Sequence, residues 1–456
     1  MARFWDTTFK RITMKLHFIY FTVFVLMHCS AQKELVEIHV EQESDLYHKA
    51  LKINIAGLPI NKRTFLTLKA TDAKKHLWLS TAIYQSNQLG AIDITQDKSL
   101  GGSYEGIYPM GLFWSLKSND YHQIATNQGF NAKLTVEVDN KIIASKNIYR
   151  RSTRELEELQ IKKIKLRDNL VANYYQPISQ DNKPNSAIIF LGGSGGNFRE
   201  ERASLFASEG IAVLDLKYFK GPGLKDGIIE IPLEYVHSAH QWLANRPEIE
   251  KDNIGITGRS RGSELALLYA TKYDIKYVIA EVPSSVVWFG WEDGKSSWTY
   301  QGKPFNYAEY TAEDSERIEQ EMNIKGVQYH DGPKFLSAFK NTDLIKSSAI
   351  PVEDINCPIL FISGEDDKVW PSTMMANQMM SRLKESGFAH EYKHLIYKNA
   401  GHNFAGGGQG CGIPYLPAED YSNSSARGGT DKGNAIAAID SWDKILLFIN
   451  RYSNPN

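Results

Sequence analysis

Cysteine is nearly absent: three occur in 456 residues, at Cys29, Cys357 and Cys411, and none stands with histidine at metal-ligand spacing. That excludes a disulfide framework and a structural metal as organising devices. An excess of charge of one sign is also missing, since 52 Lys and Arg stand against 53 Asp and Glu for a net charge of -1. Nothing in that balance favours a nucleic-acid partner. No apolar run reaches the ~20 residues a spanning helix needs. What is present is ordinary for a soluble globular protein, 42% hydrophobic and 23% charged, over a length that calls for two folded domains.

The longest apolar run near the N-terminus, 16–27, is preceded by Lys15 and followed by Cys29-Ser30-Ala31-Gln32. This is the pattern of a secretory signal peptide over 1–31, cut after Ala31, with Met14 as an alternative start. A lipoprotein signal on Cys29 is the competing reading, and the bulky polar His28 before it argues against that. Export to the periplasm or medium is therefore expected, with no stable membrane span once the signal is removed. Cys357 and Cys411 remain in the mature chain and read as two structural thiols, their pairing left open.

From 35 to 150 the pattern has the period of strands. The runs 36–41, 51–56, 64–70, 77–84, 111–116, 132–138 and 142–149 are short and alternating, with turn chemistry between them, which predicts a β-sandwich domain over 32–150. The charged stretch 150–167 reads as a linker helix within a linker spanning 151–185. Beyond it strands at 187–191, 211–216, 277–282, 359–363 and 392–397 alternate with helices at 199–209, 233–244 and 262–271, and a last helix runs over 434–452. That alternation predicts a mostly parallel sheet with helices on both faces over 186–456. In the last helix Ile436, Ile439, Trp442, Ile445, Leu446 and Ile449 form a docking stripe. The aromatic-rich segment 284–350 fits no strand-helix unit and reads as an insertion, a candidate lid or acyl-binding wall.

Gly258-Arg259-Ser260-Arg261-Gly262 lies where the strand-like run 253–258 meets the helix-like run 262–271. This Gly-x-Ser-x-Gly on a strand-to-helix turn reads as the nucleophile elbow of an α/β-hydrolase. A serine hydroxyl needs an imidazole to take its proton and a carboxylate to orient that imidazole. Two turns downstream supply them in chain order. The strand 359–363 runs into Gly364-Glu365-Asp366-Asp367, and the strand 392–397 leads to Asn399-Ala400-Gly401-His402. Asp367 is expected as the acid, three residues after the strand-end glycine, with Asp366 as runner-up. His402 is expected as the base. Gly192-Gly193-Ser194-Gly195-Gly196 follows the first parallel strand, and its backbone N–H groups at Ser194 and Gly195, with that of Arg261, are the expected oxyanion donors. The same loop lacks Gly-Lys-Ser/Thr and Gly-x-Gly-x-x-Gly, so it does not read as a nucleotide cradle. Arg261 opens a helix against the helix dipole; its partner is either a substrate anion or Glu264, three residues on.

With these residues in place the chain resembles the acyl-CoA thioesterase / bile acid-CoA:amino acid N-acyltransferase family. The motifs that carry the resemblance are Gly101-Gly102-Ser103-Tyr104-Glu105-Gly106 with Pro109 to Ser115, Gly192 to Gly196 with Arg202-Ala203-Ser204-Leu205, the elbow with Gly262-Ser263-Glu264-Leu265, Gly364 to Asp367, Ala400-Gly401-His402 and Pro414-Tyr415-Leu416-Pro417. The resemblance implies a Ser260, Asp367, His402 triad, no cofactor and an acyl thioester or ester substrate. It also implies hydrolysis, because the family's transferases tend to carry cysteine where Ser260 stands. An exported carboxylesterase or peptidase-like hydrolase and an N-acyltransferase are the alternatives, the first favoured by the signal peptide.

Overall fold

The computed structural model describes residues 35–41, 46–121, 124–178, 185–404, 413–417 and 426–453. The signal peptide, Cys29, Cys411 and the glycine-rich loop 405–412 lie outside them.

Period-two burial builds the first domain. In Arg63–Thr71 the side chains of Thr64, Leu66, Leu68 and Ala70 are all buried while their neighbours face outward, the signature of a sheet with one covered face. This strand sits in a five-stranded sheet ordered Gly101–Gly102, Leu77–Gln85, Arg63–Thr71, Phe130–Val138, Lys141–Arg150. A three-stranded sheet of Glu37–Glu41, Lys52–Ala56 and Ile92–Asp93 shares its core, where Ile53 and Ile55 join Leu66, Leu68 and Val136. The β-sandwich is thus present, with one correction. The run 111–116 is no strand: Gly111–Trp114 forms one helical turn in which all four residues are buried. Consecutive apolar residues with no polar alternation cannot lie on a strand that has only one covered face.

The second domain is an eight-stranded sheet. Its strands in chain order are β1 (Ile161–Arg167), β2 (Val171–Pro177), β3 (Asn185–Leu191), β4 (Ala212–Leu216), β5 (Ile249–Arg259), β6 (Val278–Glu281), β7 (Ile359–Gly364) and β8 (Tyr392–Tyr397). Their order across the sheet is β1-β2-β4-β3-β5-β6-β7-β8, and β2 is antiparallel to both its neighbours while the pairs from β4 to β8 are parallel. The expected linker helix over 150–167 is corrected here, and with it the domain border at 186. Ile161–Arg167 pairs residue for residue with β2, so the sheet begins within the segment read as linker. Its three lysines and one arginine resemble a charged helix, but they are the usual protection of an edge strand.

Alternation along the parallel strands sends side chains to two faces. Ala187, Ile189 and Leu191 of β3 join one core with the helices Leu233–Ala244, Arg261–Ala270 and Ser372–Glu385. Ile188 and Phe190 join another with the helices Glu200–Ser208 and Asp431–Ser453. The last helix docks through Trp442, Ile445, Phe448 and Ile449, whereas Ile436 is 37% exposed and leaves the expected stripe. The domains are joined by buried polar contacts, Tyr47 Oη to Thr153 Oγ1 at 2.7 Å and Thr153 Oγ1 to Ser204 Oγ at 2.9 Å. Among the described residues no helix is long and apolar enough to cross a membrane.

Candidate active site

Every expected site residue follows the carboxyl end of a sheet strand, where open α/β sheets hold their ligands. Register brings those ends level: Leu191 of β3 pairs with Gly258 of β5, and Gly258 with Ala280 of β6.

At the elbow Ser260 takes φ 56°, ψ -123°, a left-handed conformation that a side chain adopts only when its surroundings impose it. Its N–H donates to Glu281 O at 3.0 Å. The two elbow glycines are required by space: a Cβ on Gly258 would stand 2.0 Å from Gly262 O, and one on Gly262 would stand 2.3 Å from both Leu191 O and Gly192 O.

The glycine loop covers the elbow, with the Gly193 Cα in position to place a Cβ 3.4 Å from the Ser260 Cβ. Tyr218 Oη anchors it at one end by donating to Gly192 O at 2.6 Å, and Asp215 Oδ2 accepts from Arg199 N at 2.7 Å at the other. Burial pushes the Asp215 carboxyl up to about 7, against the pull of the Arg199 N–H and guanidinium. Gly196 N closes a turn onto Gly193 O, leaving Ser194 and Gly195 at its exposed centre.

His402 Nδ1 stands 2.8 Å from Asp367 Oδ2 and 3.0 Å from Oδ1. Asp367 is in turn fixed by the N–H groups of Val369 at 2.9 Å and Trp370 at 3.3 Å and by Ser372 Oγ at 2.6 Å. The runner-up Asp366 turns away, to Lys368 Nζ at 2.7 Å and Gly429 N at 2.8 Å. Burial holds the His402 pKa below its usual 6.5; Asp367 opposes that, and Arg259 and Arg427 reinforce it. Ser260, His402, Gly193, Ser194 and Gly195 line one cleft of about 320 Å³.

Arg261 finds its charge partner inside the protein. Its Nε lies 3.4 Å from Glu264 Oε2, and Nη2 donates to Phe289 O at 3.1 Å and to Ser297 Oγ. Glu264 is fully buried, accepts from Trp288 N at 3.0 Å and Trp298 Nε1 at 2.5 Å, and is pushed up to about 7 by burial. The pair thereby staples the insertion to the elbow helix. Of the two partners open for Arg261, Glu264 is the one found.

None of the insertion, 284–350, is among the described residues lining the Ser260 cleft. Its aromatics form their own core and a relay of edge-to-face rings: Trp288 to Phe335 at 4.7 Å, Phe335 to Trp370 at 5.8 Å, Trp370 to His402 at 5.9 Å. Trp370, which lies beyond the insertion, is the ring that meets the imidazole. Sequence reasoning missed Arg199, Arg259, Asn403 and Arg427 on the cleft wall. Arg259 was in view inside the elbow motif; Arg427 carried no local signal, since it reaches the site through a backbone bond from His402 N to Arg427 O at 2.8 Å. Cys357 is a buried free thiol whose pKa burial pushes up to about 12, the profile of a structural residue.

Strand order, elbow and strand-end positions define an α/β-hydrolase. Two family descriptions match the chain, "Acyl-CoA thioester hydrolase/BAAT N-terminal region" over 48–166 and "BAAT / Acyl-CoA thioester hydrolase C terminal" over 231–455. Acyl-coenzyme A amino acid N-acyltransferase 2 of Mus musculus is 27% identical over 439 residues, 92% of this chain and 98% of that one. Acyl-coenzyme A thioesterase 1 of Rattus norvegicus is 26% identical over 418 residues, 89% and 94% of the two. Among solved structures, a Mycobacterium tuberculosis puromycin-hydrolyzing peptidase aligns with TM-score 0.41 and 14% identity over 91% of this chain and 68% of that one. The chain belongs to the acyl-CoA thioesterase / bile acid-CoA:amino acid N-acyltransferase family.

Proposed function

We propose that this protein hydrolyses acyl thioesters through an acyl-enzyme on Ser260. The observation that carries the reading is the convergence of Ser260 and His402 on one cleft, with Asp367 held 2.8 Å behind the imidazole. His402 Nε2 takes the Ser260 proton as Oγ attacks the carbonyl carbon. The oxyanion is met by the N–H of Arg261 and by those of Ser194 and Gly195, each donor worth ~2.7–4 kcal/mol in the transition state. The C–S bond breaks, and the thiolate, with a conjugate-acid pKa of about 8.5, leaves with little acid help before the imidazolium proton follows. Water activated by His402 then releases the carboxylic acid and restores Ser260.

Export, supported by the apolar run 16–27, favours a second reading, because coenzyme A thioesters are intracellular. In that reading the same triad acts on an extracellular ester. Turnover of an acyl-CoA beside a p-nitrophenyl ester, with and without an amino acid as acyl acceptor and with Ser260→Ala as control, separates the readings. Thioester hydrolysis that vanishes in the variant supports the proposal; ester turnover alone transfers the triad to the second reading, and an amide product indicates acyl transfer.

A further inference from the structure

The last residue of strand β6 and the residue after it each lend a carbonyl to the site. Glu281 O accepts from Ser260 N at 3.0 Å. Val282 O accepts from the indole Nε1 of Trp370 at 3.1 Å.

Val282 reaches that partner from a conformation a valine rarely takes. Its φ is 43°, in the left-handed region where a β-branched side chain crowds its own backbone. Pro283 follows it, and a proline pushes the residue before it toward extended backbone instead. The side chain is buried, and Val282 N donates to Ile362 O of β7 at 2.7 Å. Both backbone groups of Val282 are thus engaged, which is how a strained residue is kept in place, and such residues gather at functional sites.

What the strained carbonyl holds is Trp370. This side chain is buried, and its ring lies 5.9 Å from the His402 imidazole at an interplanar angle of 81°. Its backbone N–H donates to Asp367 Oδ1 at 3.3 Å, and that oxygen stands 3.0 Å from His402 Nδ1. One residue therefore meets both His402 and Asp367. An imidazole that turned about its Cβ–Cγ bond would lose Asp367, and an indole packed edge-to-face against it opposes that turn as long as the indole itself is fixed. The bond to Val282 O fixes it.

We propose that Trp370, clamped through its indole N–H by the carbonyl of Val282, is the positioning residue that keeps the His402 imidazole turned toward Asp367. The inference rests on the reading of His402 as the base, and part of its test needs no turnover.

Trp370→Phe keeps a ring and deletes the indole N–H. Phe339→Leu lies in the same aromatic core, two rings removed from Trp370 through Trp288 and Phe335, and is the control for a merely structural loss. The far-downfield proton NMR signal that disappears in His402→Ala reports the Nδ1–H bond to Asp367 with no substrate present. In Trp370→Phe that signal is expected to vanish or broaden, and kcat to fall about tenfold or more, as a misplaced base would give, while KM stays within about twofold. Phe339→Leu lowers the melting temperature and leaves both signal and kcat in place. Should Trp370→Phe not fold, benzothienylalanine at position 370 replaces it, keeping the two-ring shape and lacking only the N–H. A signal and kcat in the protein without the N–H that match the parent, or the same losses in Phe339→Leu, overturn the proposal. Loss of the signal confined to the position 370 variants, in an enzyme with no His402-dependent turnover, would support the positioning role while removing His402 as the base.

Discussion

Nη2 of Arg259 donates to His402 O at 2.8 Å and to Asn403 Oδ1 at 2.9 Å. The residue just before the proposed nucleophile thus holds the loop that carries the proposed base, so strand β5 and the segment after β8 cannot drift apart independently. Arg259→Met removes both bonds and leaves two buried acceptors, a cost on the order of 1.5–3 kcal/mol in stability. It is expected to lower kcat about tenfold or more through misplacement of the imidazole, with less effect on KM. Arg259→Lys, whose ammonium sits on a shorter stem without the rigid planar fork that orients Nη2, restores only part. Steady-state kinetics with a urea melt checks both effects.

The pH profile follows from the same surroundings. As the proposed base, His402 has to be neutral to accept a proton from Ser260, and its pKa lies below 6.5 because burial and then the nearby arginines outweigh Asp367. The acid limb of kcat/KM is therefore expected below pH 6.5, so that at pH 6.5 more than half of the plateau remains. Arg259→Met removes one positive charge and moves that limb upward. A folded-state pKa below the unfolded value also means that His402 favours the folded state above pH 6.5 and loses that contribution as pH falls.

The buried pair Arg261 and Glu264 is a mechanical link between elbow and insertion. Glu264→Ala strands the guanidinium and frees Trp288 N and Trp298 Nε1 of their acceptor, at an expected cost of about 3–5 kcal/mol. The double change Arg261→Met with Glu264→Leu recovers the part due to the stranded guanidinium and not the part due to Trp288 N and Trp298 Nε1, which still lack their acceptor. Thermal melts of the single and double variants decide this.

Glycines at the site divide into two kinds. Gly258→Ala drives a Cβ to 2.0 Å from Gly262 O, a backbone atom that cannot step aside, and folding or activity is expected to fail. Gly195→Ala meets nothing within 4 Å and stands at no positive φ, so stability within about 0.5 kcal/mol of the parent is expected. Circular dichroism melts of the two variants side by side test the contrast.

How much of this was legible in the chain depended on whether the signal was local. The elbow, the glycine loop and the strand-end turns bearing Asp367 and His402 are short motifs next to strong strands, and they were read in place. Strand β1 was misread because lysines that protect an edge look like those of a solvated helix. Gly111–Trp114 was misread because a buried turn and a buried strand share the same apolar residues. The insertion's aromatics stood out by composition, but the core they form around Trp288 depends on contacts between distant segments that composition does not carry. Arg427 was invisible, being brought to His402 by a backbone bond across 25 residues.

The most direct test of the central claim is intact-protein mass spectrometry after rapid mixing with an acyl thioester and acid quench. One acyl adduct, mapped to Ser260, is expected in the unmutated enzyme and none in Ser260→Ala. Thioester hydrolysis that persists unchanged in Ser260→Ala, or an adduct on any other residue, would contradict it.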